Sequence, residues 1–281
     1  SVTINAGTKV LFKGNRAIKL IIDGADSVTA TGSSGNEIYF SADDDEDGVY
    51  GENNERGLKM QLYPSSGSSG SSSFTYCIFE YIDCSNESGN NAYGTLDMVN
   101  RPVTIENSVF RNNRADYGGA IFLRNNSNLT LNECTFENNG ADYWGGALYF
   151  GAASGVIKNC ILKNNSASSG GGFYVYQGGP SFTNCLIYSN SATGSGSGIY
   201  LTNGSCSNTI QNCYIYASYF AIYLNGNSNN NVLNSCRVYN SLSYGVYATG
   251  SSFNSFIGNI SNSGSSRGFY IFNSCDTNIL I

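Results

Sequence analysis

The sequence predicts an all-β solenoid, a right-handed single-stranded parallel β-helix of about ten coils. The first observation is a repeat of about 25 residues over 103–190, which reads VTIENSVFRNN, LTLNECTFENN, GVIKNCILKNN and PSFTNCLIYSN. The second is a Gly-rich segment between the copies, reading GGAIFL, GGALYF and GGGFYV. The third is the composition, with 34 Gly, 3 Pro and only 12% charged residues, which favours short strands over long helices.

The first half of each repeat predicts two strands joined by a bend. One apolar column is formed by Ile105, Leu131, Ile157, Phe182, Ile210, Leu233 and Ile257. Three residues later comes a second column: Ser108, Cys134, Cys160, Cys185, Cys213, Cys236 and Ile260. Side chains on one face of a strand are two residues apart, so a gap of three predicts a corner. The corner falls at the residue before the second column, and Asn suits it because Asn tolerates left-handed backbone angles better than other non-glycine residues. In successive repeats this residue is Asn107, Glu133, Asn159, Asn184, Asn212, Ser235 and Asn259.

The Gly-rich segments predict a third strand. Its two inward columns begin at Ile121 and Leu123 and recur once per repeat to Phe269 and Ile271. The whole chain, 1–281, is interpreted as a single β-helix domain. Residues 1–57 are degenerate N-terminal coils with an acidic insertion at 41–57, residues 58–102 are irregular coils with long loops, and residues 103–281 are regular coils.

Composition limits the classes of function. The net charge of −6 provides no basic surface, so nucleic acid is not an expected partner. No apolar run approaches the roughly 20 residues that a membrane span requires. The last residues, 277–281, keep an apolar strand pattern without a polar cap. This is expected of a chain cut from a longer protein, or of an end that docks onto a partner such as a second copy.

The nine cysteines form two groups. Those of the second inward column, together with Cys77, are interpreted as small buried hydrophobic residues, although adjacent coils are near enough for some disulfides. Cys84, Cys206 and Cys275 lie outside that column and are the better disulfide candidates. None has the spacing of a metal-binding CxxC pair.

The outward position of the third strand predicts a row of aromatic side chains on one face. The aromatic members, one per coil, are Phe122, Tyr149, Tyr174, Tyr200, Tyr223, Tyr247 and Tyr270. One interpretation is a structural ladder that stiffens the sheet. The other is a binding surface for sugars or for another protein. On a second face, Tyr188, Tyr216 and Tyr239 follow Arg111, Glu137 and Lys163, whose alternating signs indicate an exposed charge ladder.

The acidic stretch DDDEDG indicates a possible calcium loop. Asp43, Asp45, Asp47 and Gly48 match the opening DxDxDG of such loops, in which oxygen ligands alternate and Gly makes the sharp turn. The twelfth position is Asn54, and Glu55 follows as the candidate carboxylate ligand. The alternative is an acidic surface loop without a metal, so no cofactor is required and Ca²⁺ is the only candidate.

Six N-x-S/T sequons are candidate glycosylation sites: Asn86, Asn125, Asn128, Asn164, Asn203 and Asn259. Because the chain is rich in Asn and Ser, composition alone produces many such matches.

The repeats resemble a known family of surface proteins. GGAI and GGAL, with FRNN and FENN, resemble the GGA[ILV] and FxxN repeats of chlamydial polymorphic outer-membrane proteins. The resemblance covers 103–190 well and the remainder loosely, and it extends to the pectate-lyase-like β-helices of secreted bacterial and archaeal proteins. It implies a secreted or surface-displayed passenger that adheres, assembles or displays loops.

The function expected from these features is a non-catalytic scaffold, extracellular or on the cell surface. It is adhesive, or it self-assembles into a fibre or sheath, so its partners are surface glycans, proteins or other copies of itself. The alternative is a polysaccharide lyase that cleaves an acidic glycan with calcium. The β-helix resemblance implies an Arg or Lys base for such a lyase, and Arg111, Arg114 and Arg124 near Asp116 are the candidates. The chain has no His for acid–base work.

Overall fold

The computed structural model describes residues 1–11, 19–23, 26–42, 59–63, 70–85, 93–217, 219–239, 243–262, 267–273, 275 and 277–281. These residues form 34 β-strands and no helix, and every strand pairing is parallel. The strands belong to three sheets that run along one solenoid axis, and each coil contributes one strand to each sheet. The predicted fold class, an all-β parallel β-helix, is confirmed.

The first sheet has eleven strands. They are β1 (Val2–Asn5), β4 (Val28–Thr31), β7 (Ser72–Thr75), β10 (Pro102–Glu106), β14 (Asn128–Asn132), β18 (Ser154–Lys158), β22 (Ser181–Thr183), β25 (Thr209–Gln211), β28 (Val232–Asn234), β31 (Ser255–Ile257) and β34 (Ile279–Leu280).

The second sheet has ten principal strands and three accessory ones. The principal strands are β2 (Lys9–Leu11), β5 (Ile38–Ser41), β8 (Cys77–Glu80), β11 (Val109–Arg111), β15 (Thr135–Glu137), β19 (Ile161–Lys163), β23 (Leu186–Ala192), β26 (Tyr214–Ala217), β29 (Arg237–Tyr239) and β32 (Ile260–Asn262). The accessory ladder, which the sequence did not predict, consists of β12 (Arg114–Tyr117), β16 (Gly140–Trp144) and β20 (Ser166–Ala167), and it joins the end of β23.

The third sheet has ten strands. They are β3 (Lys19–Asp23), β6 (Lys59–Tyr63), β9 (Leu96–Val99), β13 (Ile121–Arg124), β17 (Leu148–Gly151), β21 (Phe173–Tyr176), β24 (Ile199–Thr202), β27 (Ile222–Asn225), β30 (Val246–Thr249) and β33 (Phe269–Phe272).

The predicted Asn corner lies between the first and second sheets. Six of the seven predicted corner residues have positive φ, including Asn107 at 49°, Glu133 at 55° and Asn212 at 52°. A bend of this kind turns the chain within one residue, and Asn adopts it at low cost.

The seventh corner residue, Asn259, was predicted wrongly by one position. Gly258 has the positive φ, of 57°, and Phe256 rather than Ile257 aligns with Leu233. Phe256 is buried while Ile257 is exposed, and Ile260 aligns with Arg237 rather than with Cys236. The FIGNI segment offers two apolar registers, and the larger Phe ring takes the interior because it removes more apolar surface from water.

The interior is filled by columns of side chains, and each column takes the same repeat position from successive coils. Phe40, Phe79, Phe110 and Phe136 stack in sequence with ring centroids 4.6, 4.5 and 5.0 Å apart. Such offset parallel contacts suit a spacing set by the hydrogen-bonding distance between strands. The core is therefore one continuous stack along the axis.

The inward cysteine column is buried, and all nine cysteines are free thiols. The thiols donate to carbonyl oxygens at the corner, as Cys160 Sγ does to Lys158 O at 3.1 Å. Cys84, Cys206 and Cys275, the expected disulfide candidates, are not bridged. Burial raises the pKa of Cys77 from 9.0 to about 12, and hydrogen bonds with neighbouring thiols together with burial raise the pKa of Cys160.

A ladder of buried asparagines lies where the second sheet ends, at the second residue of three NN pairs and of the equivalent SN pair. Its members are Asn113, Asn139, Asn165 and Asn190. The side-chain amide of Asn139 donates to Phe110 O and to Asn165 Oδ1, both at 3.0 Å, and its Oδ1 accepts from Asn113 Nδ2 at 2.9 Å. Each amide therefore joins two coils and satisfies backbone groups that the bend leaves unpaired.

The Gly pairs mark the corner before the third sheet. Gly118 and Gly145 have φ of 59° and 73°, a region that side chains disfavour. The second Gly of each pair lies against backbone: a Cβ on Gly146 would clash with the carbonyl oxygen of Gly171 and with the backbone of Ser166. The repeated GG thus allows successive coils to approach closely.

Candidate binding surface

The predicted aromatic column lies on the outward side of the third sheet in strict register. Phe122 aligns with Tyr149, and the alignment continues coil by coil to Tyr270. Because parallel strands place aligned residues one strand spacing apart, each ring reaches the next. The column divides into two parts that differ in burial, and we call them the covered part (Phe122, Tyr149 and Tyr174) and the open part (Tyr200, Tyr223, Tyr247 and Tyr270).

The covered part is buried under a second layer of aromatic side chains. Phe122, Tyr149 and Tyr174 are 5, 7 and 5% exposed. Trp144 stacks on Tyr174 with centroids 5.3 Å apart, and Tyr117 contacts Tyr149 edge-on at 6.2 Å. Burial raises the pKa of Tyr149 and of Tyr174 above the usual range of a phenol. These residues therefore form a small outer core and are not a free surface.

The second layer comes from residues that the repeat analysis left unassigned. Tyr117 and Trp144 directly precede the Gly pairs and are aligned through the accessory ladder. Their signal in the sequence is an aromatic residue before GG in two successive repeats. In the next two coils the aligned positions are Ser169 and Ser195, so the cover ends there.

The open part begins beside those two serines. Tyr200 meets Tyr174 and Tyr223 edge to face, with interplanar angles of 82° and 70°. Tyr223 and Tyr247 then stack in parallel at 4.9 Å. All four tyrosines of the open part are half-buried. Burial raises the pKa of Tyr223 from 10.0 to about 12, so its phenol stays protonated and can donate a hydrogen bond.

Partial cover returns at the far end of the open part. Phe220 and Tyr244 stack on each other at 5.7 Å and flank Tyr247 at 5.1 and 5.4 Å. The Arg267 guanidinium lies 5.0 Å from the Tyr270 centroid, a cation–π distance. The open part therefore lacks cover at Tyr200, and beyond it the phenol edges of Tyr223, Tyr247 and Tyr270 form a partly covered strip.

The three lyase candidates lie on three consecutive strands, each against a different carboxylate. Arg111 on β11 is 2.5 Å from Glu80, and Arg114 on β12 is 2.7 Å from Asp142 in the next coil. Arg124 on β13 is 3.5 Å from Asp97 and 4.5 Å from the Tyr93 centroid. Asp116 lies on β12 and is half-buried.

The charge ladder on the second sheet consists of separate pairs. Glu80 pairs with Arg111, and Glu137 pairs with Lys163 at 2.5 Å. Tyr188, Tyr216 and Tyr239 continue the same column, and the last two stack at 5.2 Å. Alternating charges thus give way to aromatic rings along one face.

The remaining candidates are widely dispersed. Asp43, Asp45, Asp47 and Glu55 of the calcium loop, and Asn86, lie outside the described residues. Asn125, Asn128, Asn164 and Asn203 are exposed. The side chain of Asn259 accepts from Cys236 N at 2.9 Å and donates to Leu233 O at 2.8 Å, so its amide joins this coil to the preceding one.

The sequence profile described as right handed beta helix region matches residues 20–205 and 181–281. The chain belongs to that family. No curated protein matches the chain. The chlamydial resemblance stays a prediction.

Solved structures with a similar fold include enzymes that act on polysaccharides. The A-module of the mannuronan C-5 epimerase AlgE4 of Azotobacter vinelandii is 13% identical, with a TM-score of 0.44 over 98% of this chain and 90% of that one. The periplasmic alginate epimerase AlgG is 14% identical, with a TM-score of 0.45 over 89% and 66% of the two chains. A catalytic domain of a GH87 α-1,3-glucanase is 13% identical, with a TM-score of 0.41 over 99% and 63%. At these identities the likeness concerns the fold alone.

The described residues lack two features. None of their elements is a helix long and apolar enough to cross a membrane. Within the same ranges, no group of three or more Cys, Asp or Glu side chains is placed to hold a metal ion.

Proposed function

We propose that the chain is a non-catalytic, extracellular or cell-surface scaffold that adheres to an extended glycan through the open part of the aromatic column. The observation that carries the proposal is the loss of aromatic cover at Tyr200, where Ser169 and Ser195 take the place of the covering rings and the column becomes half-buried. One binding side chain per coil along a rigid rod suits a polymer with a regular repeat.

The chemistry of the open part supports a carbohydrate ligand. Stacked rings use their faces on each other, so they present ring edges and hydroxyl groups outward. Protonated phenols both donate and accept hydrogen bonds, as sugar hydroxyls do. The ring of Tyr200 lies edge to face against Tyr174 and Tyr223, so it interrupts the parallel stacking of the column.

The state of the charged side chains supports a role without catalysis. A lyase needs a base beside the substrate, and the candidate arginines instead contact Glu80, Asp142 and Asp97. The free thiol of Cys77 does not oppose an extracellular location, because burial raises its pKa and keeps the reactive thiolate scarce.

The proposal is tested by affinity electrophoresis of the purified chain through gels that contain alginate, polygalacturonate, xylan or mannan. We expect retardation by at least one of these polysaccharides. The double variant Tyr200→Ala/Tyr223→Ala should weaken it about tenfold, since each lost phenol removes a hydrogen bond worth about 0.5–1.5 kcal/mol. Tyr149→Phe, which removes a hydroxyl from the covered part, is the matched control and should bind like the unchanged chain.

Two results would overturn the proposal. Retardation that survives the double variant would show that the open part does not bind the glycan. Release of unsaturated uronate products from alginate or polygalacturonate would show that the chain is a lyase. Absence of retardation with every glycan would leave the adhesive function without a ligand of the proposed class and would count against it.

A further inference from the structure

The outward face of the second sheet carries a slot between two tyrosines. Tyr188 and Tyr216 are register partners on β23 and β26. Aligned aromatic residues elsewhere on this face stack, as Tyr216 and Tyr239 do at 5.2 Å. Tyr188 differs, because its ring contacts no aromatic ring of the described residues. The face of its ring is therefore available to a ligand.

The slot has a defined lining and size. The slot is a shallow, largely open depression of about 380 Å³, a volume within the range of small-ligand sites, and it is lined by Leu186, Tyr188, Ser189 and Tyr216. The register of β23 against β26 shifts just after Tyr188, and Ser189 has a φ of 54°. This bulge interrupts the column where the slot opens. Bulges redirect side chains in this way next to binding sites.

The lining combines apolar surfaces with a few hydroxyl groups. Two phenol rings and Leu186 supply the apolar part, and Ser189, which is exposed, supplies a hydroxyl at the rim. A pyranose ring has the complementary surface, with flat C–H faces and hydroxyls around its edge. Aromatic rings that keep a polar tip are suited to such amphipathic partners.

A charge near the slot indicates the sign of the ligand. Arg237 is exposed, and its guanidinium lies 5.4 Å from the centroid of Tyr214, which is the register partner of Leu186 in the slot. No carboxylate within ion-pair distance of Arg237 is found among the described residues, whereas Lys163 on the other side is paired with Glu137. Arg237 thus offers a positive charge on a chain whose net charge is −6.

We propose that the slot between Tyr188 and Tyr216 binds one sugar ring of an acidic oligosaccharide, whose carboxylate meets Arg237. Guanidinium groups bind carboxylates in a planar, two-bond geometry that a lysine does not reproduce. This site lies on a different sheet from the open part of the aromatic column, so it does not depend on the proposed adhesive function.

Titration calorimetry of the full chain with a short oligogalacturonate tests the site, with an uncharged cello-oligosaccharide as the comparison ligand. We expect the acidic ligand to bind about tenfold more tightly. Tyr188→Ala should weaken it about tenfold, because one stacking ring is lost. Tyr188→Phe should bind as the unchanged chain does. Arg237→Gln should abolish the preference for the acidic ligand and the dependence of its affinity on salt.

The outcomes separate this inference from the proposed function. Loss of oligogalacturonate binding in Tyr188→Ala but not in Tyr200→Ala supports the slot. The reverse pattern overturns it and leaves the open part as the binding surface. Equal affinity for the two ligands, or an unchanged preference in Arg237→Gln, overturns the acidic assignment. Circular dichroism of each variant confirms that the β-helix is retained, which is expected because Arg237 is exposed and Tyr188 is half-buried.

Discussion

The covered and open parts of the aromatic column differ in environment although they share one sequence position. Tyr149 is 7% exposed beneath Tyr117 and Trp144, whereas Tyr247 is half-buried at the surface. The strand, the register and the spacing are the same in both parts. The difference follows from the residue before the Gly corner, which is aromatic in two coils and Ser169 or Ser195 in the next two, while Phe220 and Tyr244 restore only partial cover beyond them.

This comparison shows that a periodic pattern predicts position better than it predicts role. Rings one coil apart stack because the strand spacing is close to an aromatic contact distance. Stacking therefore occurs in both parts, whether or not a ligand binds. The role of the column is decided by a second set of residues, on the accessory ladder, that either covers it or leaves it accessible.

The largest effect on stability is expected from adding a side chain at the Gly pair beside the covered part. A Cβ on Gly146 would clash with backbone atoms of Gly171 and Ser166, which cannot move without shifting a coil. We expect Gly146→Ala to lower the free energy of unfolding by about 4 kcal/mol, measured by denaturant titration. Gly204→Ala is the control, because no atom lies within 4 Å of its Cβ position and only its φ of 82° opposes the change. Its cost should be about 1 kcal/mol, and equal costs would contradict the close packing at the Gly pair.

The next effect separates the two parts directly. Tyr149→Ala removes a buried ring that both Trp144 and Tyr174 contact, so we expect a loss of about 3 kcal/mol in unfolding free energy. Tyr247→Ala removes a half-buried ring in the same column and should cost about 1 kcal/mol. Denaturant titration of both variants is the measurement. Equal losses would show that the second layer does not bury the column in solution.

The sequence predicted the strands because their chemistry is local. A gap of three between apolar columns identifies a corner, and Asn107 and its equivalents tolerate the φ that a corner requires. The same reasoning failed at Asn259, because FIGNI satisfies the pattern in two registers and only the packing of Phe256 distinguishes them. Register is thus a tertiary property where the local pattern is degenerate.

The candidate sites were harder to predict, because each depends on residues in neighbouring coils. The buried amide ladder through Asn139 was visible as NN pairs, but its inward direction follows from contacts with Asn113 and Asn165. The cover formed by Tyr117 and Trp144 arises from an accessory ladder that no periodicity marks. Likewise, the slot beside Tyr188 results from a shift of register, which a repeat alignment cannot contain.

The smallest effect is expected from alkaline titration, and it again distinguishes the two parts. Burial raises the pKa of Tyr149, and it raises the pKa of Tyr223 from 10.0 to about 12, so the folded chain keeps these phenols neutral after the unfolded chain has ionised them. The stability that they contribute is complete below pH 10.0 and is lost as the pH rises toward the folded pKa. The melting temperature should therefore be constant near neutral pH and fall by about 5 °C as the pH rises from 10.0 toward about 12. Tyr149→Phe removes the most strongly buried of these phenols and should flatten the decline more than Tyr247→Phe does, with phenolate absorbance as a second readout. If Tyr247→Phe flattened the decline of melting temperature more than Tyr149→Phe does, the more deeply buried phenol would lie in the open part, and the assignment of the two parts would be reversed.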